Sequence, residues 1–249
     1  IPALLVGRRL ITLGHRYKML TMADYLADRF DSTGIRGLLA VLMLIFLVSM
    51  MGAQTIGGGV IFSTYTGCDE WVGIVVMGIT VILYCMAGGI RSVMLTDLIQ
   101  GILMVVTAVV TFFVSLKLGG GLEVINEKLA AMDTNYVSFP GHNNAYPWQN
   151  YVSMIVMWSF FAIGQPHLFT KFFTMKDHKT MFKAVILGTL GMWFSASFIE
   201  WCGVTGIISF PGLEGKNSDF VVPLILQGGL PPLISSLMVA GIFSAGMST

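Results

Sequence analysis

Charge is what this sequence has least of. Only 11% of its 249 residues are Asp, Glu, Lys or Arg, while 55% are hydrophobic and the mean hydropathy is +0.80. A soluble domain carries roughly a quarter charged residues, so a water-soluble fold is excluded. The net charge is +1 and the cations are dispersed, which leaves no electrostatic footprint for nucleic acid. Cysteine is also scarce: Cys68, Cys85 and Cys202 are an odd number without CxxC spacing, so neither a disulfide framework nor a zinc site is indicated. HExxH, GxSxG and clustered metal ligands are missing as well, which argues against a membrane enzyme. The chain opens at Ile1 without the pattern of a secretory signal, and it is expected to lie inside a longer protein.

What fills the sequence instead is a series of apolar runs near the ~20 residues needed to cross a bilayer. They fall at about 37–65, 71–87, 94–116, 150–169, 184–209 and 231–249, and "IPALLVG" reads as the tail of one more. Segments 8–36, 88–93 and 170–183 hold eleven of the fourteen Lys and Arg residues, and only Lys117, Lys128 and Lys216 lie in the alternate loops. The positive-inside rule therefore puts those three segments in the cytoplasm. In the outer segment 117–149, a short amphipathic stretch at 121–132 reads either as a surface helix or, the favoured reading, as part of a solvated loop. The expectation is an all-α polytopic membrane protein in the plasma membrane, a single transmembrane domain over 1–249 truncated at both ends, with about six complete or nearly complete spans.

Three stretches depart from lipid-facing helix. In "AGGIRSVMLTDLIQG", Asp97 stands near the cytoplasmic start of a span; an acid there either faces the bundle interior or a water-filled path, or caps a helix or pairs with Arg91. In "WSFFAIGQPHLFTKFF", Gly164 and Pro166 weaken a helix in mid-membrane, and the outcome is either a discontinuous helix at a binding site or a plain proline kink. His167, close by, is read as a hydrogen-bonded residue near a helix end. In "GIFSAGMST", Ser248 and Thr249 fall three and four residues after Ala245, so two hydroxyls and one carbonyl can gather on one face. Small alkali cations take oxygen ligands of this kind, although hydroxyls in membrane helices also bond back to the carbonyl four residues earlier. Glu200 in "SFIEWCG" is an intramembrane acid that must be paired, protonated or facing water. Gly57, Gly58 and Gly59, after Gln54, permit close helix contact.

Taken together, "LTMADYLADRF" (20–30), "AGGIRSVMLTDLIQG" (87–101), "GQPHLFTKFFTMKD" (164–177) and "SAGMST" (244–249) resemble the sodium/solute symporter family, which includes sodium-coupled proline, pantothenate and glucose carriers. The resemblance spans essentially the whole chain. It implies part of a leucine-transporter-type core of two inverted five-helix repeats, from core helix two into core helix eight. It further implies that Ala245, Ser248 and Thr249 bind the coupling sodium ion and that Asp97 lies on the route by which sodium leaves to the cytoplasm. Trp158, Ala162, Gln165 and Gln54 become candidates for the pocket of a small polar solute, a carboxylate or amino-acid-like compound. Proline carriers usually have an aromatic residue where Ala162 stands, which implies a wider site. Sodium is the one ion implied, and no other cofactor. From a different class, a solute-sensing membrane domain of a sensor histidine kinase would look the same over these residues.

Overall fold

The computed structural model describes residues 6–161, 165–213 and 215–247, and the side chains of all of these except 88–92 and 166–169. The expected span tail at 1–5 lies outside the described residues. Helices make up the architecture, with no strand among the described residues: α1 (Arg8–Tyr17), α2 (Met22–Phe30), α3 (Thr33–Thr66), α4 (Glu70–Gly119), α5 (Leu122–Met132), α6 (Trp148–Phe161), α7 (Pro166–Phe173), α8 (His178–Ser209), α9 (Val221–Gly229) and α10 (Pro232–Met247). Thr33–Thr66, Glu70–Ala87, Val93–Gly119 and His178–Ser209 are each long and apolar enough to cross a membrane. Their large apolar side chains, such as Leu42, Ile45, Ile82 and Leu187, stand exposed on the surface. That arrangement is stable where the solvent is hydrocarbon and untenable in water. The protein is an all-α polytopic membrane protein.

The chain divides into two compact units, Ile1–Val48 with Ser138–Leu190 and Ser49–Val137 with Gly191–Thr249. In the first unit, the stretch expected as a cytoplasmic loop at 8–36 folds into two helices. Thr21 starts α2 with a capping box: its hydroxyl accepts from the Asp24 N–H at 3.2 Å while the Asp24 carboxylate accepts from the Thr21 N–H at 3.1 Å. Such caps contribute about 1 kcal/mol. Arg36, at the start of α3, adds an ion pair to Asp24 at 2.7 Å. Burial by itself raises the Asp24 pKa, but the Thr21 hydrogen bonds and Arg36 outweigh it and hold the carboxyl below its ordinary 3.8. The apolar face of α1 then packs through Leu10 on Phe173 and Met19. Gly14 lets α1 approach closely, since a Cβ there would sit 3.0 Å from the Phe173 carbonyl oxygen.

The second unit is organised around α10. Its partners on the C-terminal half of α3 run backwards along the chain: Tyr65 bonds Ser235 at 2.6 Å, Ile61 packs with Met238 and Val239, and Gly58 lies beside Phe243. The two helices are therefore antiparallel. Helix α4 meets α10 twice. A Cβ on Gly241 would collide with Thr107, and one on Gly246 would collide with Met77. Those glycines are roughly 7.5 Å apart along α10, whereas Met77 and Leu103, which also borders Gly241, would be roughly 39 Å apart on a straight helix. So α4 turns back on itself. The loop expected at 88–93 is thus corrected in kind rather than in place: backbone from Glu70 to Gly119 is helical, because two glycines cost only about 1 kcal/mol each against alanine and no proline intervenes. Of the two readings of 121–132, the favoured loop is corrected and the helix holds. Those residues form α5, whose Ile125 and Leu129, four apart on one face, are buried.

Candidate functional site

At the C-terminal end of α10, Ala245 is half-buried in a turn held on two sides. Next to it, a Cβ on Gly246 would lie 3.4 Å from the backbone carbonyl oxygen of Gln54 on α3 and would strike the Met77 side chain on α4. The close contact is with the flexible tip of Met77, and the Gln54 carbonyl stands at ordinary van der Waals distance. Tyr84, also on α4, donates its hydroxyl to the Met247 carbonyl. Ser244 bonds back to the Ala240 carbonyl at 2.7 Å, and Thr64, Thr80 and Thr111 do the same four residues back on their own helices. Self-bonding is the ordinary habit of hydroxyls in this chain. Ser248 and Thr249, the other two expected ion ligands, lie outside the described residues.

Asp97 sits in the interior of α4, half-buried, within electrostatic reach of the Tyr84 hydroxyl. The backbone on both sides of it is helical, and the side chain of Arg91, its other expected partner, lies outside the described residues. Gln54, Asp97 and Ala245 belong to one unit and converge on the end of α10 through Gly246 and Tyr84. The three glycines after Gln54 divide their roles. Gly58 and Gly59 pack against α4, with a Gly59 Cβ only 2.7 Å from the Glu70 carbonyl oxygen. Gly57 instead lines a cavity of about 540 Å³ together with Ala53, Ile56, Thr107 and Ala245. Glu200 is exposed and lines a separate cavity of about 520 Å³ in the same unit, with Tyr136 and Ser218.

The other solute-pocket candidates belong to the first unit. Helix α6 is described as far as Phe161 and α7 begins at Pro166, with Gln165 immediately before it in extended conformation (φ −90°, ψ 106°). The residue before a proline avoids helical backbone, and proline suits the first position of a helix. Among the described residues, helical backbone is interrupted at Gln165. Gln165 is 2% exposed, and its side-chain carbonyl oxygen has no hydrogen-bond partner among the described residues. A buried amide oxygen in that state costs about 1–3 kcal/mol. Trp158 is 56% exposed and leans on the Phe161 ring at 5.1 Å. Ala162 lies outside the described residues, and of His167 only the helical backbone in α7 is described.

A sequence model of the sodium:solute symporter family matches residues 1–249. The chain belongs to that family. Among the curated relatives, a sodium/pantothenate symporter of Haemophilus influenzae is 27% identical over 244 residues, covering 98% of this chain and 50% of that protein. Its counterpart in Escherichia coli is 28% identical over 245 residues, with the same coverage of 98% and 50%. A sodium/proline symporter of Staphylococcus aureus is 26% identical over 238 residues, 92% of this chain and 45% of that protein. The chain spans about half the length of the curated relatives it matches. No solved structure matches it. These relatives are named as transporters rather than enzymes, and this family member is a multi-pass protein of the plasma membrane. Tyr84, Met77 and Gly246 are the residues that sequence reasoning passed over. Gly241 and Ala245, four apart on α10, carried the small-xxx-small signature of a tight helix contact.

Proposed function

We propose that the full-length protein is a symporter in which downhill entry of sodium drives uptake of a small polar organic solute, a carboxylate or amino-acid-like compound of the size of pantothenate or proline. The observation that carries this reading is the family match over all 249 residues. In it, the Ala245 carbonyl and the Ser248 and Thr249 hydroxyls supply oxygens to sodium, and Asp97 lies on the ion's exit route. Gln165, with its buried unpartnered oxygen at a helix break, offers an acceptor to a solute N–H or O–H, while Trp158 covers an apolar part of the solute and Gln54 borders the ion site. The spans form part of an inverted-repeat core. Ion binding orders the outward-facing pocket, solute closes it, and rocking of one repeat opens both to the cytoplasm.

The test is uptake by vesicles carrying the full-length protein, with labelled pantothenate and labelled proline, with and without an inward sodium gradient. Sodium-dependent accumulation of either solute is the expected result; uptake indifferent to sodium would sink the proposal. Replacing both Ser248 and Thr249 by alanine removes two of about five oxygens around a small cation and is expected to raise the sodium requirement at least tenfold.

A further inference from the structure

Beyond its turn, α4 has one protected face. Leu95, Leu98, Ile99 and Ile102 stand exposed, whereas Thr96, Asp97, Gln100 and Leu103 are half-buried and Thr107 is buried. That face is the one turned to α10. Thr107 donates to the Met238 carbonyl at 3.4 Å, and the Leu103 carbonyl oxygen lies 3.1 Å from a Cβ placed on Gly241. Further along, Tyr84 donates to the Met247 carbonyl and stands within electrostatic reach of Asp97. Positions on this arm of α4 fall as those on α10 rise, so the two run antiparallel. Six positions separate Leu103 from Asp97 and six separate Gly241 from Met247, so the register holds between these points. Gln100, midway between Leu103 and Asp97, therefore comes level with Ser244, midway between Gly241 and Met247.

The side-chain oxygen of Gln100 is buried and has no hydrogen-bond partner among the described residues. Ser244 does not supply one, because its hydroxyl goes to the Ala240 carbonyl at 2.7 Å, and the Tyr84 hydroxyl goes to Met247. One turn nearer the 88–93 segment, about 4.5 Å along the axis, stands the Asp97 carboxylate. A buried acceptor calls for a positive or hydrogen-bearing partner. An amide oxygen and a carboxylate one turn apart on the same face are oxygen ligands of the kind hard cations take. A cation also offsets the cost of an acid at membrane depth, which a neutral donor would not.

Resting on the ion-site reading above, we infer that Gln100 is a sodium ligand: its amide oxygen and the Asp97 carboxylate form a second ion site on α4, one step from the end of α10 towards the cytoplasm. Gln100 supplies a neutral oxygen level with Ser244, and Asp97 supplies the charge one turn further on. A sodium ion leaving α10 meets the weaker ligand first, an order that lets it move on in steps instead of being held.

The test needs no knowledge of the solute. Purified full-length protein in detergent is unfolded thermally at rising sodium concentration, with choline keeping ionic strength constant. The slope of stabilisation against the logarithm of sodium concentration counts the ions that the folded protein binds. Gln100→Met keeps the length of the side chain and removes the oxygen, and it is expected to reduce the slope to roughly half the parent's. Without sodium the same variant is expected to unfold at or above the parent's temperature, because an unpartnered polar group has been replaced by an apolar one of similar shape. Gln100→Glu, which keeps an oxygen, is expected to retain the parent's slope, and potassium in place of sodium should give none. A Gln100→Met protein with the parent's sodium slope and a lowered sodium-free unfolding temperature would make Gln100 a structural contact with another part of the chain and overturn the inference; Gln100→Leu gives the same reading should the thioether not be tolerated. The double variant Ser248→Ala, Thr249→Ala separates the two levels. If it loses slope while Gln100→Met keeps it, the Gln100 inference alone is wrong. If it keeps the parent's slope, the ion-site reading is wrong and the inference falls with it.

Discussion

The end of α10 is shaped by other helices, whereas the break before α7 is made by the chain's own backbone. At α10, Gly246 is pressed by Met77 and faced by the Gln54 carbonyl, and Met247 is bonded by a residue 163 positions away. At the break, Gln165 is extended because Pro166 follows it, and no distant partner is needed to explain its backbone. One region depends on tertiary packing and the other on a local steric rule. They should therefore fail differently when mutated.

The largest effect is expected from Gly246→Leu. The new side chain must displace Met77 and crowd the Gln54 carbonyl, and overpacking of this sort costs about 1–3 kcal/mol or more. Gly78→Leu, at a glycine with nothing within 4 Å of its Cβ position, is the matched control. Thermal unfolding of the two full-length variants should show a marked loss for the first and little for the second; equal losses would mean that the α10 packing is not what confers the sensitivity.

Next in size is Asp97→Asn, which leaves the helices intact and removes one charge beside Tyr84. Maximal uptake is expected to fall about tenfold or more, as for intramembrane acids on ion routes, with the half-saturating solute concentration nearly unchanged. A change confined to solute affinity would remove Asp97 from the ion route. At the break, Trp158→Ala is expected to weaken solute binding about fivefold through loss of an aromatic wall, without altering sodium activation. Ala162→Tyr should narrow the range of accepted carboxylates and amino acids in competition uptake. Indifference to Ala162→Tyr in a protein that takes up proline best would end the wider-site reading.

The smallest effect belongs to the first unit's cap. Asp24→Asn is expected to cost about 1 kcal/mol at neutral pH. Because the folded pKa lies below the ordinary 3.8, the stabilisation is present in full above that value and fades as pH falls through the lower folded pKa. Unfolding curves at pH 7 and pH 3 should show the parent and the variant converging in acid. A constant gap would mean that the carboxylate's charge plays no part.

Most spans were legible because lipid leaves a simple trace: long apolar runs with cations on one side. The break at Gln165 was legible too, since proline acts on its immediate neighbour. The helices at 8–17 and 22–30 were missed, although Thr21 and Asp24 at capping-box spacing were the available signal. Helix α9, Val221–Gly229, is too short to read as a span and contains Pro223, so only its buried contacts through Ile225 and Leu226 define it. Of the ion site, the small residue and its neighbours could be picked from the end of the sequence. The Tyr84 bond could not, because no local pattern records which carbonyl a tyrosine meets after α4 has turned back.

Met77 has a mechanical consequence. Its sulfur lies over Gly58 on α3 and its terminal methyl over Gly246 on α10, with no Cβ on either helix to hold it in one groove. Methionine is unbranched and polarizable, with three rotatable bonds that let it follow a moving surface. If α3 and α10 slide past each other, the thioether can turn and stay in contact where a branched side chain would jam or open a void. Two glycine faces with a pliable sulfur between them keep this one contact filled through small displacements, while the Ile61, Met238 and Val239 cluster and the Tyr65–Ser235 bond hold the pair in register.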